Sequence, residues 1–232
     1  ALNNVICDEA EFEIGYVRFG AIAHTINQCS MNYTKPNHIL KLESNNSIAQ
    51  IAGFAYSGDR FSNIIHHVDH ISGDGAGFAV FGEQLDHIHN AIQTANKATG
   101  FVKILTSNTK NIQLTHITNE IHDYIGPAPF IDDLYHKQEQ TTISDITNTI
   151  DSITATTTTI GSFISRLMLQ HDSACPQSPL LTIKYIQNTI HNMSVPYVIK
   201  KDIEGNVGGF IGNIIHYQPS FSYIQEQCQD AT

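Results

Sequence analysis

TTISDITNTIDSITATTTTIGSFISRLMLQH, residues 141–171, is the stretch whose reading decides the fold. Ile143, Ile146, Ile150, Ile153, Thr157, Ile160, Ile164 and Leu167 recur at alternating steps of three and four. This is the a/d spacing of a helix that buries one narrow seam. It predicts a single helix over 141–171, roughly 45 Å long at about 1.5 Å of rise per residue. Such a helix outreaches a small domain, so its seam needs cover from the rest of the chain, from further copies or from a partner. The flanking positions carry Thr142, Thr147, Thr149, Thr154, Thr156, Gly161, Phe163 and Met168 instead of Glu and Lys, so charge does not choose the partner. Ile at both a and d favours assemblies larger than dimers. The expected interface is therefore Ile143, Ile146, Ile150, Ile153, Ile160, Ile164 and Leu167. Gly161, after a run of β-branched residues, is the weak point and places a break or kink over 155–161.

Outward from this stretch, similar spacing recurs. Phe61, Ile64, Ile65, Val68 and Ile71, then Leu85, Ile88, Ile92 and Ala95, then Leu114, Ile117, Ile121 and Ile125 each read as one face of an amphipathic helix. Residues 101–106 alternate as a short strand. Ser178 before Pro179 reads as a helix start, continued by Leu180, Ile183, Ile186 and Ile190. Two apolar runs around Glu204-Gly205-Asn206 predict a β-hairpin. The expected fold class is mostly α (α+β): a helical N-terminal region over 1–140, the long heptad helix over 141–171, and a C-terminal helix with a hairpin over 172–232, forming one structural unit. No internal repeat is asserted. Residues 15–20 (GYVRFG) and 77–82 (GFAVFG) look alike, but their surroundings differ.

Composition narrows the classes of function. At 41% hydrophobic residues the 232-residue chain can bury a core. Only 15% of residues are charged, their place taken by Asn, Thr, Ser and Gln, a bias that favours a protein working outside the cytoplasm. A net charge of −10 with 12 scattered basic residues argues against nucleic acid and anionic membrane surfaces as partners. No apolar run is long enough to span a bilayer. The first residue, Ala1, is read as the start of a mature product cut from a signal peptide. Cys7, Cys29, Cys175 and Cys228 are widely spaced, without a Cys-x-x-Cys pair, and in an exported chain predict two disulfides. Three connectivities are possible; Cys7–Cys29 with Cys175–Cys228 is the preferred one.

Histidine carries the remaining chemical signal. The segments His66-His67-Val68-Asp69-His70 and Asp86-His87-Ile88-His89 cluster early in the chain. On a helix His66 and His70 lie one turn apart, which with His89 would make a zinc, copper or haem site, Asp69 serving as a further ligand or orienting a histidine. Full protonation of the 13 histidines would carry the formal charge of −10 to about +3, so acidification reverses the sign. No Gly-x-Ser-x-Gly, HExxH, EF-hand or dinucleotide-loop context occurs. The sequence is accordingly read as a non-enzymatic structural or assembly subunit of an extracytoplasmic complex, periplasmic or extracellular, such as a secretion or conjugation apparatus, with self or other subunits as partners. The alternatives are a His-rich metal- or haem-binding exported protein, and a viral or cell-surface glycoprotein ectodomain with a heptad stalk.

Overall fold

The computed structural model describes residues 10–15, 17–26, 29–30, 37–106, 111–126, 129–136, 140–155, 159–170, 180–194, 206–208 and 210–217. Among them there is no helix, and strands account for most of the chain. In chain order these are β1 (Ala10–Glu13), β2 (Arg18–Gly20), β3 (Ala23–Ile26), β4 (Cys29–Ser30), β5 (Asn37–Glu43), β6 (Gln50–Ala52), β7 (Ala55–Ser72), β8 (Gly75–Ala76) and β9 (Ala79–Asn96). They continue with β10 (Val102–Thr106), β11 (Ile112–Gly126), β12 (Ile131–His136), β13 (Thr141–Ala155), β14 (Thr159–Gly161), β15 (Ile164–Gln170), β16 (Leu181–Ser194), β17 (Asn206–Gly208) and β18 (Ile211–Tyr217). The expected helical domain and coiled coil are therefore replaced by a β architecture. The long helix over 141–171 is β13, β14 and β15.

Every strand pairing is parallel, and each strand lies beside the one formed a coil earlier. Ile64 pairs with Ile88, Ile88 with Ile117, Ile117 with Ile146 and Ile146 with Ile186. Strands β7 and β9 bend between two faces. Their first residues pair onward into β10, β12, β15 and β18, and their later residues into β11, β13 and β16. A third, small face joins β2, β6 and β8. A chain that returns to the same three faces once per coil, always in parallel, is a parallel β-helix.

The misleading heptad has a physical explanation. In β13, Ile143, Ile146, Asn148, Ile150 and Ile153 are buried, at steps of three, two, two and three. The steps of two are ordinary strand alternation. The steps of three are corners, where the strand takes one extra residue; at the first of these Asp145 is exposed and takes φ 57°. Overlooking the buried asparagine in the middle converts this series into three-four-three. The same pattern, an apolar residue followed at +3, +5, +7 and +10 by inward side chains, begins at Phe61, Leu85, Leu114 and Ile143, and from Ile183 it continues at +3, +5 and +7. It is an internal repeat, and the contrary expectation is corrected. Asn63, His87, His116, Asp145 and Tyr185 occupy the same corner in successive coils, all at φ between 52° and 57°. Asn, Asp and His are among the non-glycine residues that tolerate this left-handed region best.

Two columns of identical side chains run through the interior. Phe54, Phe78, Phe101, Phe130, Phe163 and Phe210 stack at centroid spacings of 5.0, 5.3, 5.0, 4.6 and 4.7 Å. The spacing is that of adjacent strands, about 4.8 Å. Glycines precede the first three, and a Cβ on Gly77 would lie 2.2 Å from the Gly100 carbonyl oxygen, so no larger residue fits that close approach. The second column is asparagine: Asn90 Nδ2 donates to Asn119 Oδ1, Asn119 Nδ2 to Asn148 Oδ1 and Asn148 Nδ2 to Asn188 Oδ1, each at 2.7 Å. The column ends with Asn188 Nδ2 donating to Ser162 Oγ. A buried amide is costly unless its donors and acceptors are met, and this stacking meets them only in register.

The proposed seam is accordingly interior. Ile143, Ile146, Ile150, Ile153, Ile164 and Leu167 are buried among the strands, while the side chain of Ile160, in β14, is outside the described residues. The first arm of the expected hairpin around Gly205 and the expected helix start at Ser178 also lie outside them. β17 and β18, from the second arm, pair in parallel with β14 and β15. Residues 183–190 form part of β16, a strand.

Asn119→Ala removes the middle of the amide column and orphans the Asn148 acceptor; it is expected to cost about 2–4 kcal/mol in urea unfolding. Ile150→Asp buries a charge and is expected to abolish the folded state, whereas Thr118→Arg on the outside should change stability by less than about 0.5 kcal/mol.

Candidate functional site

The broad face made by β5, β7, β9, β11, β13 and β16 presents its alternate residues outward, and stacking aligns these into columns too. Ile65, His89, Thr118, Thr147 and Gln187 form one, and His38, His67, Ala91, Glu120, Thr149 and Thr189 the next. At the second corner lie Asp69, Gln93, His122, Asp151 and His191. The outside thus varies from coil to coil while the inside repeats. Two shallow grooves cross this face. One, of about 370 Å³, is lined by His67, Gln93, Glu120, His122, Thr149 and Asp151. The other, of about 430 Å³, includes Asn63, Ile65, His87, His89, His116 and Thr118.

Histidines pair with carboxylates across the coils. His38 Nε2 lies 3.0 Å from Asp69 Oδ1, and His67 Nε2 lies 3.4 Å from the same oxygen. His70 meets Glu43 at 3.2 Å, and His122 Nδ1 meets Asp151 at 2.7 Å. The hydrogen bond to Asp151 raises the His122 pKa. At the first corner His87 and His116 stack at 4.3 Å, each with Nδ1 on Asp86, at 2.8 and 3.0 Å. Burial works against charge on Asp86, but hydrogen bonds from Thr115, His116 and His87 outweigh it and hold its pKa down, at about 2.

The histidines singled out from sequence do not meet. His66 points inward, fully buried, at the position where the following coils carry the asparagine column. His70 and His89 point outward in different columns, with Glu43 and, at 3.8 Å, Glu120 as their partners. Helical spacing had placed His66 and His70 on one face; strand alternation and a corner put them on opposite ones. Of the cysteines, Cys7, Cys175 and Cys228 lie outside the described residues, as does the side chain of Cys29, which is in β4.

A second ionic group joins four successive coils, three of them through strands of the other large face. Arg166, on β15, donates from Nη2 to Asp133 Oδ2 at 2.7 Å and has Nε 2.6 Å from Oδ1, while Asp132 lies 3.8 Å away. Lys103, on β10, binds Asp74. Burial, then the neighbouring Asp132, pushes Asp133 up to about 6 against the pull of Arg166. Burial also raises Asp132. The group cross-links successive coils by charge, and its raised carboxyls favour a proton held among them near pH 6.

Taken together, fold and face define a short parallel β-helix with a histidine- and carboxylate-bearing outer surface. The chain matches no known family model, no curated protein and no solved structure.

Neither ring nitrogen of His66 makes a well-aligned hydrogen bond, and the Asn90 Oδ1 beside it has none. Burial pushes its pKa down to about 3, only partly offset by the Gly77 backbone. The folded protein therefore keeps His66 neutral, while the unfolded chain binds a proton below about pH 6.5. Stability is full above that value and is lost as the pH falls toward 3. Asp133 acts with the opposite sign, since its raised pKa lets the folded state take a proton first. His66→Asn isolates the histidine: its unfolding free energy should gain on the wild type by about 1.4 kcal/mol per pH unit between pH 6 and 4.5. Urea unfolding across that range checks this, and parallel profiles would contradict it.

Proposed function

We propose that this protein is a non-enzymatic structural module of an extracytoplasmic multiprotein assembly, in which a rigid β-helix presents its broad outer face to other protein subunits or to further copies of itself. The observation that supports it is the division between inside and outside. The interior repeats the same Phe and Asn in coil after coil, which gives a stiff framework, whereas the outer columns change with each coil and so can specify a partner. The face is built largely from Thr, His, Gln and a few carboxylates, with Ile65 exposed among them. Such a surface suits a polar, weakly charged contact rather than an ionic one. The low charged fraction and the Thr, Asn and Ser bias support a place outside the cytoplasm. The six residues of the sequence-read interface whose side chains are described are buried, so the outward columns take this role.

Light scattering over a concentration series, with affinity capture from the native source, tests the reading. The expected result is a defined oligomer or an identified protein partner, lost in the Thr118→Arg/Thr147→Arg double variant while its melting temperature is unchanged. A protein that stays monomeric and captures nothing, or a double variant that assembles like the wild type, would overturn it.

A further inference from the structure

We propose that His38, His67 and Asp69 form a binding site for a single late first-row divalent cation, Zn²⁺ being the best match. The inference is independent of any assembly role. His38 on β5 is the register partner of His67 on β7, so parallel pairing sets one imidazole upon the other, 4.8 Å apart and inclined by 19°. Asp69 follows His67 by two residues and turns at the corner, which brings its carboxylate to the edge of both rings. Both Nε2 atoms approach the same oxygen, at 3.0 and 3.4 Å. One ligand atom from each of the three residues lies within 4.8 Å of the others.

These separations fit the chemistry of zinc. With metal–ligand bonds of about 2.0–2.1 Å, neighbouring ligand atoms of a tetrahedron lie roughly 3.3 Å apart. The two measured distances bracket that edge. Two neutral imidazoles and a carboxylate are an established zinc donor set, and the partial exposure of all three side chains leaves water access to a fourth position. The stacked pair His87 and His116 is different. There the imidazoles face separate oxygens of Asp86, and one of those oxygens already accepts from Thr115 at 2.7 Å. Their left-handed backbone belongs to a corner shared by five coils, so that group is accounted for by the fold.

Metal-stripped protein titrated with ZnCl₂ by calorimetry at pH 7.5, with Co²⁺ absorption as a second probe, tests the site. One ion per chain is expected, with a tetrahedral Co²⁺ spectrum. His67→Ala and Asp69→Asn should each weaken binding by at least about tenfold, the least that disturbing a zinc ligand's surroundings costs. His87→Ala/His116→Ala should leave it unchanged. In histidine C–H NMR spectra of the wild type, Zn²⁺ should shift the His38 and His67 signals first, a readout that stands even where a variant folds poorly. Absence of saturable binding, unaltered binding in Asp69→Asn, or first shifts at other histidines would overturn the assignment.

Discussion

Register is the constraint on which the rest of this structure depends. Strands in a parallel β-helix lie about 4.8 Å apart, so any residue is flanked by its counterparts one coil before and one coil after. The Asn90–Asn119–Asn148–Asn188 column turns that repetition into hydrogen bonds, and the phenylalanine stack turns it into aromatic contact. A slip of one residue would carry each amide to the outside and each flanking isoleucine with it. Apolar burial alone tolerates neighbouring arrangements; a chain of buried amides does not, because a displaced amide leaves donors and acceptors unmet.

The outer face inherits its order from the inner one. His38 lies over His67 because their backbones are paired, and His87 over His116 because the pairs on either side, Asp86 with Thr115 and Ile88 with Ile117, hold both at the same corner. A carboxylate one or two residues away then reaches both rings. Coil length is free to vary: partners lie 24 residues apart between β7 and β9, 29 in the next two coils and 40 between β13 and β16, while the columns continue unbroken. Extra residues enter between strands, where they disturb neither the amides nor the rings.

His66 interrupts the asparagine column, lying between Asn37 and Asn90 in register. Its ring packs edge-on against Phe54 and Phe78, which gains aromatic contact and forgoes the amide hydrogen bond to Asn90. The Asp132, Asp133 and Arg166 group has the opposite preference, becoming easier to bury as protons are added.

Much of the pattern was written in the chain, but in an ambiguous form. Ile143, Ile146, Ile150 and Ile153 are inward in either reading, as a helix seam or as a strand that turns two corners, and spacing alone does not separate the two. Asn148 does: on a helix it is one polar residue among many, whereas its recurrence as Asn90, Asn119 and Asn188 between isoleucines marks a repeated buried amide. The recurrence has no fixed period, because the coils differ in length. The candidate site was legible only as a concentration of histidine. His66, His70 and His89 are close in sequence yet face different ways, and His38 and His67 are 29 residues apart yet stack. By itself the sequence determined which of the periodic isoleucines are inward, the low charge of the surface and the abundance of imidazole, because these follow from residue type and local spacing. Only the tertiary structure decided that inward residues face a coil instead of a helical seam, and which histidine meets which carboxylate, because those contacts arise from pairing between strands far apart in the chain.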